Sequence, residues 1–119
     1  MTPTPLSSPA TNTTASAMEK RQNPRYRIEA SAILRVEGRP GPFLVTLLDV
    51  SVSGLRLSSP TAFPEGSKVV IKSLGAEVWG EIRYARLMEA ADFHLGVEAE
   101  KVGGGGELDL VRLFRRSLR

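Results

Sequence analysis

Two short clusters hold the residues whose types and spacing could do chemistry. In KRQNPRYR, Arg21 and Arg25 enclose three residues, and Pro24 pushes Asn23 away from helical geometry, so the segment runs extended. Two guanidinium groups on such an arm could grip a planar anion, each pairing with phosphate or with O6 and N7 of guanine. In DVSVSG, Asp49 can accept from the N–H groups of a base and the Ser51 hydroxyl can serve base or phosphate. Gly54 lets backbone approach closely or take a positive φ. Neither cluster is decisive alone. Arg35/Arg39, Arg112/Arg116 and Arg115/Arg119 repeat the arginine spacing, and a solvated basic linker would show it too. Asp and Ser at a bend equally stabilise a turn between strands.

Both clusters are suited to binding, and the composition offers little for catalysis. There is one histidine, His94, no cysteine and only three aspartates, with no nucleophile and base pair in view, so no enzyme is expected. The absence of cysteine excludes a disulfide framework and thiolate metal sites, and His94 alone cannot build a metal cluster, so no metal or cofactor is expected. A formal charge of +3, with twelve arginines against four lysines, points to an anionic partner. The opening MTPTPLSSPATNTTASAMEK lacks the basic start and apolar stretch of a secretory signal, and no later run could span a bilayer. A soluble cytoplasmic protein without membrane insertion is the expectation.

The elements that must position the two clusters read as strands. Ile28, Ala30, Ala32, Leu34 and Val36 alternate with Arg27, Glu29, Ser31 and Arg35, which predicts a half-buried first strand. The turn formers of EGRPGP and the apolar run PFLVTLLDV predict a hairpin partner. After the DVSVSG bend come a short strand at Leu55-Arg56-Leu57, another over 68–74, and one over 77–86 with Val78, Ile82 and Tyr84 on one face. A last strand carries Phe93, Leu95, Val97 and Ala99. Six short strands at hairpin spacing imply an all-β fold, an antiparallel barrel or closed sandwich. Four glycines, 103–106, precede ELDLVRLFRRSLR, whose Leu110, Val111, Phe114 and Leu118 form one helical stripe, so a terminal helix over about 107–119 should pack on the barrel. The polar, aperiodic residues 1–19 read as a disordered arm.

The order of these features resembles the PilZ domain family: Arg-x-x-x-Arg in a lead-in loop, a first strand and hairpin, then Asp-x-Ser-x-x-Gly. The likeness extends to GEIRYAR with Trp79 before it, to the Leu-Gly-Val triplet of HLGVEAE, and to the closing helix. The resemblance implies a six-stranded barrel over about 26–102 within a domain over 20–119, its arginine loop at 20–25, that binds the bacterial second messenger cyclic di-GMP. Arg21 and Arg25 would clamp guanine and phosphate while Asp49, Ser51 and Gly54 hold the ligand from the barrel side. Lys20, a basic residue just before the motif, is an accessory candidate that could favour a stacked ligand dimer. The chain then works as a non-enzymatic receptor that signals to a downstream protein the sequence does not identify. Two alternatives stand beside it: an adaptor of the same fold that binds no ligand, and a small barrel for single-stranded nucleic acid. DNA or RNA binding is not expected, because Tyr26, Trp79 and Tyr84 are scattered rather than gathered on one platform.

A bidentate arginine contact to guanine contributes about 1–3 kcal/mol, so Arg21→Ala and Arg25→Ala should each weaken cyclic di-GMP binding about ten- to a hundredfold in calorimetry. Unchanged affinity in Arg25→Ala would remove the arginine clamp.

Overall fold

The computed structural model describes residues 24–119. The arm expected over 1–19, and Lys20 and Arg21 of the arginine loop, lie outside the described residues.

Six strands follow one another: β1 (Tyr26–Val36), β2 (Phe43–Val50), β3 (Gly54–Ser59), β4 (Lys68–Ser73), β5 (Ala76–Glu89) and β6 (Asp92–Val102). All neighbours are antiparallel, and the order β1-β2-β3-β6-β5-β4 closes into a barrel through the pairing of β1 with β4. The alternation read in the sequence is the reason. Ile28, Ala32, Leu34 and Val36 of β1 are buried while Glu29, Ser31 and Arg35 face solvent, and Leu55 and Leu57 of β3 and Leu95 and Val97 of β6 point inward with them. Aliphatic side chains fill the interior, and Phe63 from the β3–β4 connection adds to it, its ring edge-on to Phe43 at 4.9 Å between centroids. Leu74 and Gly75 both take positive φ, 54° and 79°, the geometry of the two-residue turn that closes a hairpin, and they join β4 to β5 across the Ser73–Ala76 pair.

Two expectations are corrected. The terminal helix is far shorter than 107–119: helix α1 covers Leu110–Leu113, and a single 3-10 turn follows at Arg115–Ser117. Asp109 caps α1 by accepting from the Arg112 amide at 3.1 Å, which sets its start. Leu110 and Phe114 enter the core, and Leu118 returns to extended geometry as the Arg119 amide donates to the Arg27 carbonyl at 2.8 Å. Tertiary contacts at both ends thus limit a pattern that local propensity would extend.

The second correction concerns Tyr84. Read on one face with Val78 and Ile82, which are buried, it lies outside with 41% of its surface exposed. The register of β5 against β6 shifts between Ile82 and Tyr84, and a bulge of this kind turns the following side chain to the other face. The tyrosine ring lies where a side chain of its cross-strand neighbour Gly96 would be, so this approach requires glycine.

Leu57 is fully buried and Leu44, on the outer wall, is 77% exposed, so the two leucines should respond oppositely to truncation. Leu57→Ala should lower unfolding free energy by about 2–5 kcal/mol in urea titrations, and Leu44→Ala by less than about 0.5 kcal/mol. Equal losses would contradict the inward register of β3.

Candidate functional site

The DVSVSG segment is the bend between β2 and β3, and its own hydrogen bonds close it. The Ser51 amide donates to the Gly54 carbonyl at 2.8 Å, and the Gly54 amide donates to Ser51 Oγ at 3.1 Å. The bend is also tied to its surroundings: the Ala99 amide of β6 donates to the Ser53 carbonyl and the Leu110 amide of α1 to the Val52 carbonyl, each at 2.8 Å. The short helix therefore serves the bend as well as the core. Gly54 has no positive φ; a Cβ there would stand 3.2 Å from the Val97 carbonyl, so its role is close approach of β3 to β6.

Asp49, near the end of β2, pairs across the sheet with Arg27 of β1 and Arg56 of β3. Its side chain is nearly buried, and both carboxylate oxygens are used. Oδ1 accepts from Arg25 Nε at 2.7 Å and Oδ2 accepts from an Arg56 terminal nitrogen. Charge-assisted bonds of this kind offset the desolvation of a buried carboxylate. Arg25 stands one residue ahead of β1, so this contact fastens the arginine loop to the barrel.

Arg25 spends only Nε on Asp49. Its terminal nitrogens make no hydrogen bond to the protein among the described residues, although a guanidinium presents five donors in a planar fork. Those nitrogens belong to a side chain that borders an open cleft of about 240 Å³, lined also by Ser51, Gly54, Arg83, Tyr84, Gly96 and Glu98. The cleft thus combines a cationic rim, a hydroxyl, a glycine edge and an aromatic ring. A larger depression of about 600 Å³ around Ile33, Leu44 and Leu74 lies elsewhere and carries none of the candidate residues.

Four of the residues singled out in the sequence are thereby gathered: Arg25, Ser51 and Gly54 line the cleft, and Asp49 stands behind Arg25. Arg21 and Lys20 lie outside the described residues. Sequence reading missed Arg56, Arg83, Tyr84 and Glu98. Arg56 had a signal, since it lies two positions past Gly54 on a strand that follows the bend directly, but its pairing with Asp49 needed the register of β3. Its Nε is buried without a partner among the described residues, a polar atom that adjoins the Asp49 centre and would gain from one. Tyr84 needed the bulge, and Arg83 and Glu98 needed the pairing of β5 with β6. His94 stands on β6 opposite Arg86, and no group of three or more potential metal ligands is found among the described residues.

The fold is a small closed barrel with an open cleft on its wall, and the comparison with known families places it. The chain belongs to the PilZ domain family, whose model matches residues 19–116. PilZ domains are in general receptors for cyclic di-GMP that work with partner proteins, ligand-binding or adaptor modules that are not typically enzymes. No curated protein matches the chain. Among the described residues, no helix is long and apolar enough to cross a membrane.

Removing the Asp49 carboxylate leaves two guanidinium groups facing each other. Asp49→Ala should cost about 1–3 kcal/mol in chemical denaturation, allowing for the partial exposure of both arginines. A variant as stable as the wild type would show that the bridge contributes nothing to folding.

Proposed function

We propose that residues 20–119 of this chain form a receptor and adaptor domain for cyclic di-GMP. The observation that carries the reading is the posture of Arg25. Asp49 holds it by Nε alone, so the fork is oriented and its terminal donors remain available beside Ser51, Gly54 and Tyr84. Such a fork matches the O6 and N7 acceptors of guanine or two oxygens of a phosphate.

The roles follow from position. Arg25, with Arg21 four positions earlier in the sequence, clamps a guanine and a phosphate, and Lys20 is an accessory cation. Ser51 and Gly54 present the barrel edge, the glycine because it leaves backbone accessible. Asp49 orients the clamp, and Tyr84 offers a half-exposed ring on which a base can stack in place of Arg86, whose guanidinium lies 5.7 Å from the ring centroid. Ligand bridges Arg25 and the bend, and because that bend is hydrogen-bonded to β6 and α1, the change reaches the surface a partner protein reads. No metal or cofactor enters this mechanism.

A nucleic-acid barrel is less well supported. Trp79 and Tyr84 lie in separate clefts, and Lys101 already covers the Trp79 ring at 4.9 Å, so no continuous stacking platform is formed.

Calorimetry with cyclic di-GMP, set against GTP and cyclic di-AMP, tests the reading and reports stoichiometry. Saturation at a hundred times Kd should add about 2.7 kcal/mol to stability, seen as a rise in Tm. Tyr84→Ala should weaken binding by the stacking contribution of about 1–3 kcal/mol. No heat and no rise in Tm at millimolar ligand would leave an adaptor that binds no messenger.

A further inference from the structure

A chain of charged side chains runs along the outer wall of β4, β5 and β6 and ends in the cleft. Lys68 bridges Glu100 at 2.7 Å and Glu81 at 3.0 Å, and Arg83 lies 3.4 Å from Glu81 and 3.3 Å from Glu98. Arg83 and Glu98 line the same cleft as Arg25 and Tyr84. A carboxylate there is unexpected, because it lowers the positive potential that an anionic ligand needs.

The pairing of the strands explains what Glu98 does in the absence of ligand. Glu81 and Glu98 stand directly opposite each other across β5 and β6, a placement that costs stability for like charges. Arg83 relieves it by reaching both. The two carboxylates do not depend on Arg83 equally. Glu81 also accepts from Lys68, and that hydrogen bond holds its carboxyl below the usual carboxylate range. Glu98 has Arg83 as its one ion-pair partner among the described residues. If Arg83 turns into the cleft, Glu81 keeps a cation and Glu98 loses one.

We propose that Arg83 is a phosphate-binding group of the cleft and that Glu98 holds it in reserve, acting as an electrostatic brake that sets the affinity for dianionic ligands. The inference rests on the receptor reading above and adds two residues that its motifs do not contain. The exchange is feasible because the Arg83–Glu98 pair is exposed, 56% and 57%, and pairs of that kind are weak enough to surrender a guanidinium to a phosphate. Affinity then depends on the charge at position 98 in the direction opposite to that of an ordinary binding residue.

The test is titration of cyclic di-GMP into wild type, Glu98→Gln, Arg83→Gln and the double variant, at low and at high salt. Glu98→Gln should bind about three- to tenfold more tightly at low salt, with the gain shrinking as salt screens the charges. Arg83→Gln should bind about tenfold more weakly and show a shallower salt dependence, as loss of one phosphate contact requires. In the Arg83→Gln background the gain from Glu98→Gln should largely disappear. Thermal unfolding without ligand checks that each variant is folded; if Arg83→Gln is not, Arg83→Met, which keeps the aliphatic stem without the charge, takes its place alone and in the double variant. Wild-type binding with no gain in Glu98→Gln overturns the brake and leaves the receptor reading standing. A gain undiminished in the double variant overturns the reserve role of Arg83, since Glu98 would then act by repulsion alone. Failure of the wild type to bind takes down both.

Discussion

A sheet with one apolar face must cover that face and dispose of two unpaired edges, and in this protein a single device does both. β1 pairs with β2 along one side and with β4 along the other, so the six strands close, the aliphatic faces meet inside, and no edge remains. Everything else follows from that closure. Because the interior is full, any ligand must be met on the wall or at a connection. Because β3 pairs with β6 rather than β4, the bend between β2 and β3 comes to lie beside the middle of β6 and the bulged part of β5. The cleft is the place where those three pieces of chain meet.

The second constraint is electrostatic. Asp49 is a buried carboxylate at the end of an apolar strand, tolerable only because Arg25 and Arg56 neutralise it from two sides. The same bridge gives the arginine loop a fixed point on the barrel. A guanidinium held by one nitrogen is restrained in position yet keeps most of its donors, which is an economical way to preorganise a grip on a planar anion. Arg83 is restrained differently, by the two carboxylates of Glu81 and Glu98. The cleft therefore contains one arginine anchored by Nε and one shared between two exposed carboxylates. The exposed pairs that hold Arg83 are individually weak, so they bear on affinity and its salt dependence and little on folding.

Helix α1 shows how packing overrides local preference. ELDLVRLFRRSLR has helical periodicity throughout, yet one turn of α-helix and one 3-10 turn suffice to place Leu110 and Phe114 in the core. The chain then leaves the helix because Leu118 packs against the barrel and Arg119 reaches Arg27 and Glu29. An uninterrupted helix would carry the terminus away from those contacts.

The sequence alone determined the six strands, the inward faces of β1, β3 and β6, and the two clusters around Arg25 and Asp49. Those features are legible because they depend on a period of two and on side-chain chemistry within a few residues. It left Tyr84 on the wrong face and gave no sign that Arg56 would share Asp49 or that Glu98 would face Glu81. Only the tertiary structure decided these, and the reason is common to them. A bulge changes the period without changing composition, and a cross-strand partner is set by register between segments tens of residues apart. The arginine spacing recurs elsewhere in the chain, and what distinguishes Arg25 is that the closed barrel brings Asp49 and the cleft to it.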